Sequence, residues 1–147
     1  TVHKNAGNFV GSSFLGNKIG MNGGEILIHG NAGKYLANFM RRGIIIVKGN
    51  VDNYCCYNMI AGSVVICERI AEPFGAMMKR GSLIIKRNQN KVGSNFKKCE
   101  AYELVFLKVL CNYLKKKYGI NLNSKTLPER YVGDCNNSGL AEVLILN

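Results

Sequence analysis

The side chains with the most regular spacing in this sequence are basic. Arg41-Arg42 and Lys79-Arg80 form two pairs in one phase, 38 residues apart. Guanidinium and ammonium groups repeated along one edge attract anions, and carboxylates on an acidic partner protein suit them well. A solvated basic face is the plainer alternative. Lys48 and Lys86 share a second phase, with Cys67 between them. The whole chain leans the same way, with 20 Lys+Arg against 9 Asp+Glu and a net charge of +11.

Groups for acid–base or nucleophilic chemistry are sparse. Catalysis needs such a group held by partners. His29 follows Ile26-Leu27-Ile28 at a corner, has no neighbouring Asp or Cys in sequence, and reads as a surface residue; His3 is the other histidine. Asp134 and Glu142 are the carboxylates most apt to matter, and turn capping or surface pairing accounts for both. The six cysteines, Cys55, Cys56, Cys67, Cys99, Cys111 and Cys135, contain no C-x-x-C pair. Their spacing suggests neither zinc nor disulfides, and they read as reduced thiols of a cytoplasmic protein. Cys56 shares a small-residue phase with Ala37 and Gly75 and is expected in the interior, whereas Cys135 follows Asp134 in a loop. The expectation is a chain with no catalytic residue, bound cofactor or metal of its own.

Length and composition remove other classes. At 147 residues with 47% hydrophobic residues, the chain can build a core and is not disordered. The 17 glycines exceed the roughly 10 of an ordinary chain, yet they lack a three-residue period and only 2 prolines accompany them, which excludes collagen. No apolar run reaches the roughly 18 residues that span a bilayer. No secretory signal is visible, and the start at Thr1 without methionine suggests that an N-terminal portion is missing. Nucleic-acid binding would answer the charge, but single-strand binding interleaves exposed aromatics with basic groups. Here the aromatics fall in a repeat register and are expected to be buried or at corners, so nucleic acid is disfavoured.

That register is the strongest signal in the sequence. Met21, Met40, Met59 and Met78 are 19 residues apart, and Gly24, Gly43, Gly62 and Gly81 follow each by three. A short apolar run comes after each glycine: Ile26-Leu27-Ile28, Ile44-Ile45-Ile46-Val47, Val64-Val65-Ile66 and Leu83-Ile84-Ile85. The turns Gly30-Asn31-Ala32-Gly33 and Gly49-Asn50-Val51-Asp52 match as well, and they lead to no helix, so they are not dinucleotide loops. An earlier copy begins at Asn5 and carries seven extra residues within 12–20. Short β-branched runs bounded by glycine read as strands. A 19-residue unit suggests one turn of a solenoid. The expected fold is all-β: a right-handed parallel β-helix of about four coils, with glycine at the structural corners and a methionine core ladder.

The C-terminal third departs from the repeat. Residues 1–87 are expected as the coils, 88–98 as a basic linker, 99–118 as a flanking amphipathic helix and 119–147 as a tail with a strand returning to the solenoid. Leu104, Leu107, Cys111 and Leu114 mark the apolar face, Glu100 and Glu103 a first turn, and Lys115, Lys116 and Lys117 the last turn before Gly119.

Several motifs carry a family resemblance. Gly30-Asn31-Ala32-Gly33, Met40-Arg41-Arg42-Gly43, Met59-Ile60-Ala61-Gly62, Met78-Lys79-Arg80-Gly81, the insertion Leu15 to Met21 and the tail Arg130-Tyr131-Val132-Gly133-Asp134 resemble the C subunits of formylmethanofuran dehydrogenase and of the bacterial formyltransferase/hydrolase complex. The repeat is also similar to the C-terminal domain of the glutamate synthase large subunit. The C1 resemblance implies a cytoplasmic scaffold without catalysis of its own, partnered by the catalytic subunits of a hetero-oligomer. A methanofuran-type cofactor, tetrahydromethanopterin and metals would then belong to other subunits. The shared phase of Arg41, Arg42, Lys79 and Arg80 makes that edge a candidate docking strip for an acidic partner surface or a polyglutamyl tail, against a solvated basic face. The glutamate synthase alternative implies a domain that couples catalytic domains.

Overall fold

The computed structural model describes residues 1–87, 91–122 and 127–146. Its strands are β1 (Asn22–Ile28), β2 (Arg42–Val47), β3 (Ser63–Ile66), β4 (Arg80–Ile85), β5 (Lys97–Cys99), β6 (Glu129–Gly133) and β7 (Leu140–Ile145), with one helix, α1 (Val105–Tyr118). Strands β1 to β4 run parallel, pairing Ile26 with Ile45, Ile45 with Val64 and Val64 with Leu83. The 19-residue period is therefore the register of the sheet. Strand β7 adds parallel to β4, then β6 and β5 follow antiparallel, giving the order β1-β2-β3-β4-β7-β6-β5.

The expectation of a right-handed parallel β-helix of about four coils is corrected by this arrangement. The strands make one mixed seven-stranded sheet, and the remainder of each unit is turn rather than further sheet. The backbone gives the reason. Tyr35, Ala37 and Phe39 have φ of 58, 61 and 56°, and Tyr54, Cys56 and Asn58 repeat the pattern at 62, 60 and 53°. Alternate residues with positive φ cannot form an extended strand. These turns meet their neighbours through single parallel bridges, Ala32 with Val51 and Val51 with Ile70.

The sheet is apolar on both faces, as parallel strands covered on both sides usually are. One face packs on the turns. There Ile45, Val64 and Leu83 meet Leu36, Cys55 and Phe74, one residue type per unit. Phe74 departs from the Tyr35 and Tyr54 phase because it occupies this inner row. The other face carries Leu27, Ile46, Val65, Ile84 and Leu144, covered by Leu107, Leu110, Cys111 and Leu114 of α1.

Methionine and glycine interlock between units. Met40, Met59 and Met78 are fully buried, and Met21 is partly buried against the same core. A Cβ on Gly62 would lie 2.8 Å from Met40 Cε, and Gly62 has φ +106°. At Gly43 and Gly81 a Cβ would lie closest to backbone, 2.6 Å from Gly24 O and from Gly62 O, with Met21 Cε at 2.8 Å and Met59 Cε at 3.0 Å. Gly24, in the first of these strands, shares the positive φ but faces open space. Gly81→Ala, at φ +95°, is expected to cost on the order of 3 kcal/mol, from a disfavoured φ plus a Cβ 2.6 Å from the Gly62 carbonyl oxygen. Gly16→Ala, at φ +87° in open space, should cost about 1 kcal/mol. Urea denaturation of the two variants checks the difference, and equal losses would contradict the interlock.

The helix begins at Val105, later than the sequence suggested, because Lys97–Cys99 is committed to a strand and the N-cap Leu104 is extended. Glu100 and Glu103 therefore precede its first turn. Gly119 closes it at φ 65°, with Lys115, Lys116 and Lys117 in the last turn. The expected linker is only partly described: residues 88–90 lie outside the described residues, while Phe96 is buried beside Gly75 and Gly133. In the tail, 123–126 and 147 also lie outside them. No helix among the described residues is long and apolar enough to cross a membrane.

One polar clamp ties α1 to the sheet edge. Lys117 Nζ donates to Glu25 Oε2 at 2.5 Å, Tyr118 OH donates to the same oxygen at 2.6 Å, and Tyr113 OH donates to Oε1. The Lys117 bond, followed by Tyr113 and Tyr118, lowers the Glu25 pKa from 4.5 to about 2, and Lys117 is raised in turn. A carboxylate depressed on folding stabilises above its unfolded value and loses that effect as it protonates. Helix docking should thus be intact above pH 4.5 and weaken toward pH 2. Protection of the α1 amides, measured against their intrinsic exchange rate at each pH, is expected to fall across that window, and Glu25→Gln should remove the dependence.

Candidate docking site

The backbone of the repeat places the basic pairs. Arg41 and Arg42 both donate their N–H groups to Met21 O, at 2.9 and 3.2 Å. Ile60 and Ala61 do the same to Met40 O, and Lys79 N donates to Met59 O at 2.9 Å. Each methionine carbonyl thus positions the start of the next strand. The rows Arg41, Ile60, Lys79 and Arg42, Ala61, Arg80 lie side by side, with units about 4.8 Å apart. Together these six residues line a shallow depression of about 340 Å³. Its floor is the short apolar Ile60-Ala61, and its rim is four exposed cations. No ion pair among the described residues involves Arg41, Arg42, Lys79 or Arg80. Four unneutralised cations around an apolar floor can hold two or more carboxylates at once.

The tail braces the far side of this depression. Ser138 Oγ donates to Lys79 O at 2.9 Å, and Arg80 pairs with Leu140 across the β4–β7 ladder. Asp134, buried in the tail turn, accepts from Met77 N at 2.9 Å, Asn95 Nδ2 at 2.8 Å and Asn136 N at 2.8 Å. Burial pushes its carboxyl pKa up, but the Asn136, Met77 and Asn95 bonds outweigh that and leave it lowered. Asp134 is a structural anchor here. Glu142 accepts from Ser82 Oγ at 2.6 Å and from Arg130 Nε at 3.4 Å, joining three neighbouring strands.

The other candidate groups do not converge. His29 is exposed and stacks on His3 with ring centroids 5.6 Å apart; desolvation, then Lys48, His3 and the N-terminus, lower its pKa. Cys55, Cys56, Cys67 and Cys111 are buried free thiols, and Cys135 is exposed. Burial first, then Cys55, pushes the Cys56 thiol up. Among the described residues no cluster of three or more His, Cys, Asp or Glu could hold a metal ion.

A second feature was not legible in the sequence. Phe9, Ser13, Phe14, Leu15, Gly16, Asn17, Asn38 and Phe39 line an apolar groove of about 500 Å³. Phe14 is 84% exposed and Leu15 fully so. The seven-residue insertion marked the place, but nothing in its spacing showed that its apolar side chains stand in water. Asn38 Oδ1, in the same wall, is a buried acceptor without a hydrogen-bond partner among the described residues.

The chain is similar to a chain in the X-ray crystal structure of the formyltransferase/hydrolase complex (FhcABCD) from Methylorubrum extorquens in complex with methylofuran. The TM-score is 0.90, with 28% sequence identity, over 99% of this chain and 54% of that one. The chain therefore spans about half the length of that neighbour. No family model matches the chain. No curated protein matches it.

The depression should bind carboxylate chains in a salt-dependent way. A fluorescein-labelled hexaglutamate peptide is expected to bind at low salt and lose at least about tenfold in affinity in Arg42→Glu/Arg80→Glu. Lys115→Glu/Lys116→Glu, on the helix, should change it less than about twofold. Equal losses in both variants, read by anisotropy, would show attraction to net charge alone.

Proposed function

We propose that this chain is a non-catalytic docking subunit of a cytoplasmic, formyl-transferring C1 complex of the formyltransferase/hydrolase type. The observation that carries this reading is the likeness over 99% of the chain to a chain of such a complex. The depression of Arg41, Arg42, Lys79 and Arg80 is the surface that receives an acidic region of a catalytic subunit. In this reading the methanofuran-type carrier, the pterin and any metals are handled by other subunits. The glutamate-synthase-type coupling role gains nothing from the comparison.

Affinity purification of the tagged chain from its native cell tests this directly. An amidohydrolase-like subunit and a formyltransferase are expected to co-purify, and the chain alone should show no formyl-group turnover. Arg42→Glu/Arg80→Glu should lower recovery of at least one partner by about tenfold at physiological salt. Glutamine-amidotransferase partners, or turnover by the isolated chain, would overturn the proposal.

A further inference from the structure

The apolar groove and the basic depression both draw on the second unit. Phe39 lines the groove, and Arg41, two residues on, lines the depression. The groove is built from the first two units and the depression from the second through the fourth. At about 4.8 Å per unit, the path from Phe14 to Arg80 is on the order of 15 Å, the reach of about five extended residues.

The first residues of the insertion bond the next unit, Ser12 Oγ donating to Tyr35 O at 2.7 Å and Ser13 N to Asn38 O at 3.3 Å, and the residues after them form one side of the groove. Gly20 N donates to Phe39 O at 2.8 Å and Met21 N to Gly11 O at 2.9 Å, so the chain leaves and re-enters the unit at neighbouring points. Beyond Ser13 the loop closes on itself, with Asn17 N donating to Phe14 O at 3.0 Å. It carries Phe14 and Leu15, whose exposure costs hydrophobic stabilisation that burial against a partner restores. An apolar pocket close in sequence to a cationic rim suits a hot spot with its charged surround.

We infer that the two features form one composite site for a single acidic protein segment: a bulky aromatic or aliphatic anchor seated in the groove, followed within about five residues by two or more carboxylates on Arg41, Arg42, Lys79 and Arg80. This rests on the docking role proposed above and adds the chemistry of the partner. The anchor fixes position and register; the carboxylates supply steering and the salt dependence. The aromatic stack of Phe9 on Tyr35, with centroids 5.1 Å apart and planes 3° from parallel, stiffens one wall of the groove.

Three labelled peptides test the inference on the full chain: Phe followed by Gly-Ser and four Glu, the same peptide with Gly for Phe, and the Phe peptide with Gln for Glu. The Phe–Glu peptide is expected to bind at least about tenfold more tightly than either control. Phe14→Ser/Leu15→Ser should erase the advantage of Phe and leave the Gly peptide unchanged. Both residues are exposed, so circular dichroism should be unaltered. Val105→Ser/Val109→Ser, on the exposed face of α1, should change nothing. Equal binding of the Phe and Gly peptides overturns the composite site, as does an unchanged advantage in Phe14→Ser/Leu15→Ser. Concentration-dependent dimerisation that this double variant abolishes would assign the groove to a second copy of the chain and overturn it too. These outcomes are independent of which subunits co-purify, so failure here leaves the complex membership standing.

Discussion

The register of the repeat rests on the close approach of one unit's glycine to the preceding unit's methionine and glycine. The Met40 methyl occupies the space that a Cβ on Gly62 would need, and the Met40 carbonyl holds Ile60 and Ala61 at the start of β3. The same pair of contacts sets the rise, the strand register and the direction in which the residues between Met and Gly project. Those residues are Arg41-Arg42 in one unit and Lys79-Arg80 two units on. The device that packs the core therefore also aligns the surface charges.

The sheet that results is apolar on both sides, which leaves it dependent on cover. The turns of the repeat supply one cover and α1 the other, with Glu25 and Lys117 fastening the helix across the sheet edge. The C-terminal strands then extend the sheet beyond β4, and the Asp134 turn moors them beside Lys79. Among the described residues the cations at the rim of the depression have no carboxylate partner, while Glu25 serves the helix, Glu142 the strands and Asp134 the tail turn. That division of charge is what makes an external acidic partner the natural complement.

Much of this was legible in the sequence, and the reasons for the rest are physical. Periodicity placed the four strands and the methionine and glycine rows, because repeated side chains in a fixed register are a one-dimensional signal. It could not show that Tyr35, Ala37 and Phe39 adopt positive φ, since each is a residue type that usually avoids it. That hidden backbone is why a many-sided coil was expected where a single mixed sheet stands. Helix α1 was legible from its apolar spacing, but its start was not, because Lys97–Cys99 is claimed by pairing with β6, distant in sequence. The basic pairs could be placed in phase on one edge from spacing alone. The apolar groove could not, because exposure of Phe14 and Leu15 is a property of the loop's path and leaves no periodic trace.

The central claim is that the depression of Arg41, Arg42, Lys79 and Arg80 is occupied by a partner's carboxylates in the assembled complex. Zero-length carbodiimide cross-linking of the native assembly, read by peptide mass spectrometry, addresses it most directly, because Lys79 carries the one amine in that rim. The account predicts a Lys79 cross-link to an Asp or Glu of another subunit, lost when the assembly is dissociated by salt. A Lys79 that stays uncross-linked and fully open to amine-reactive reagents in the intact assembly would contradict it.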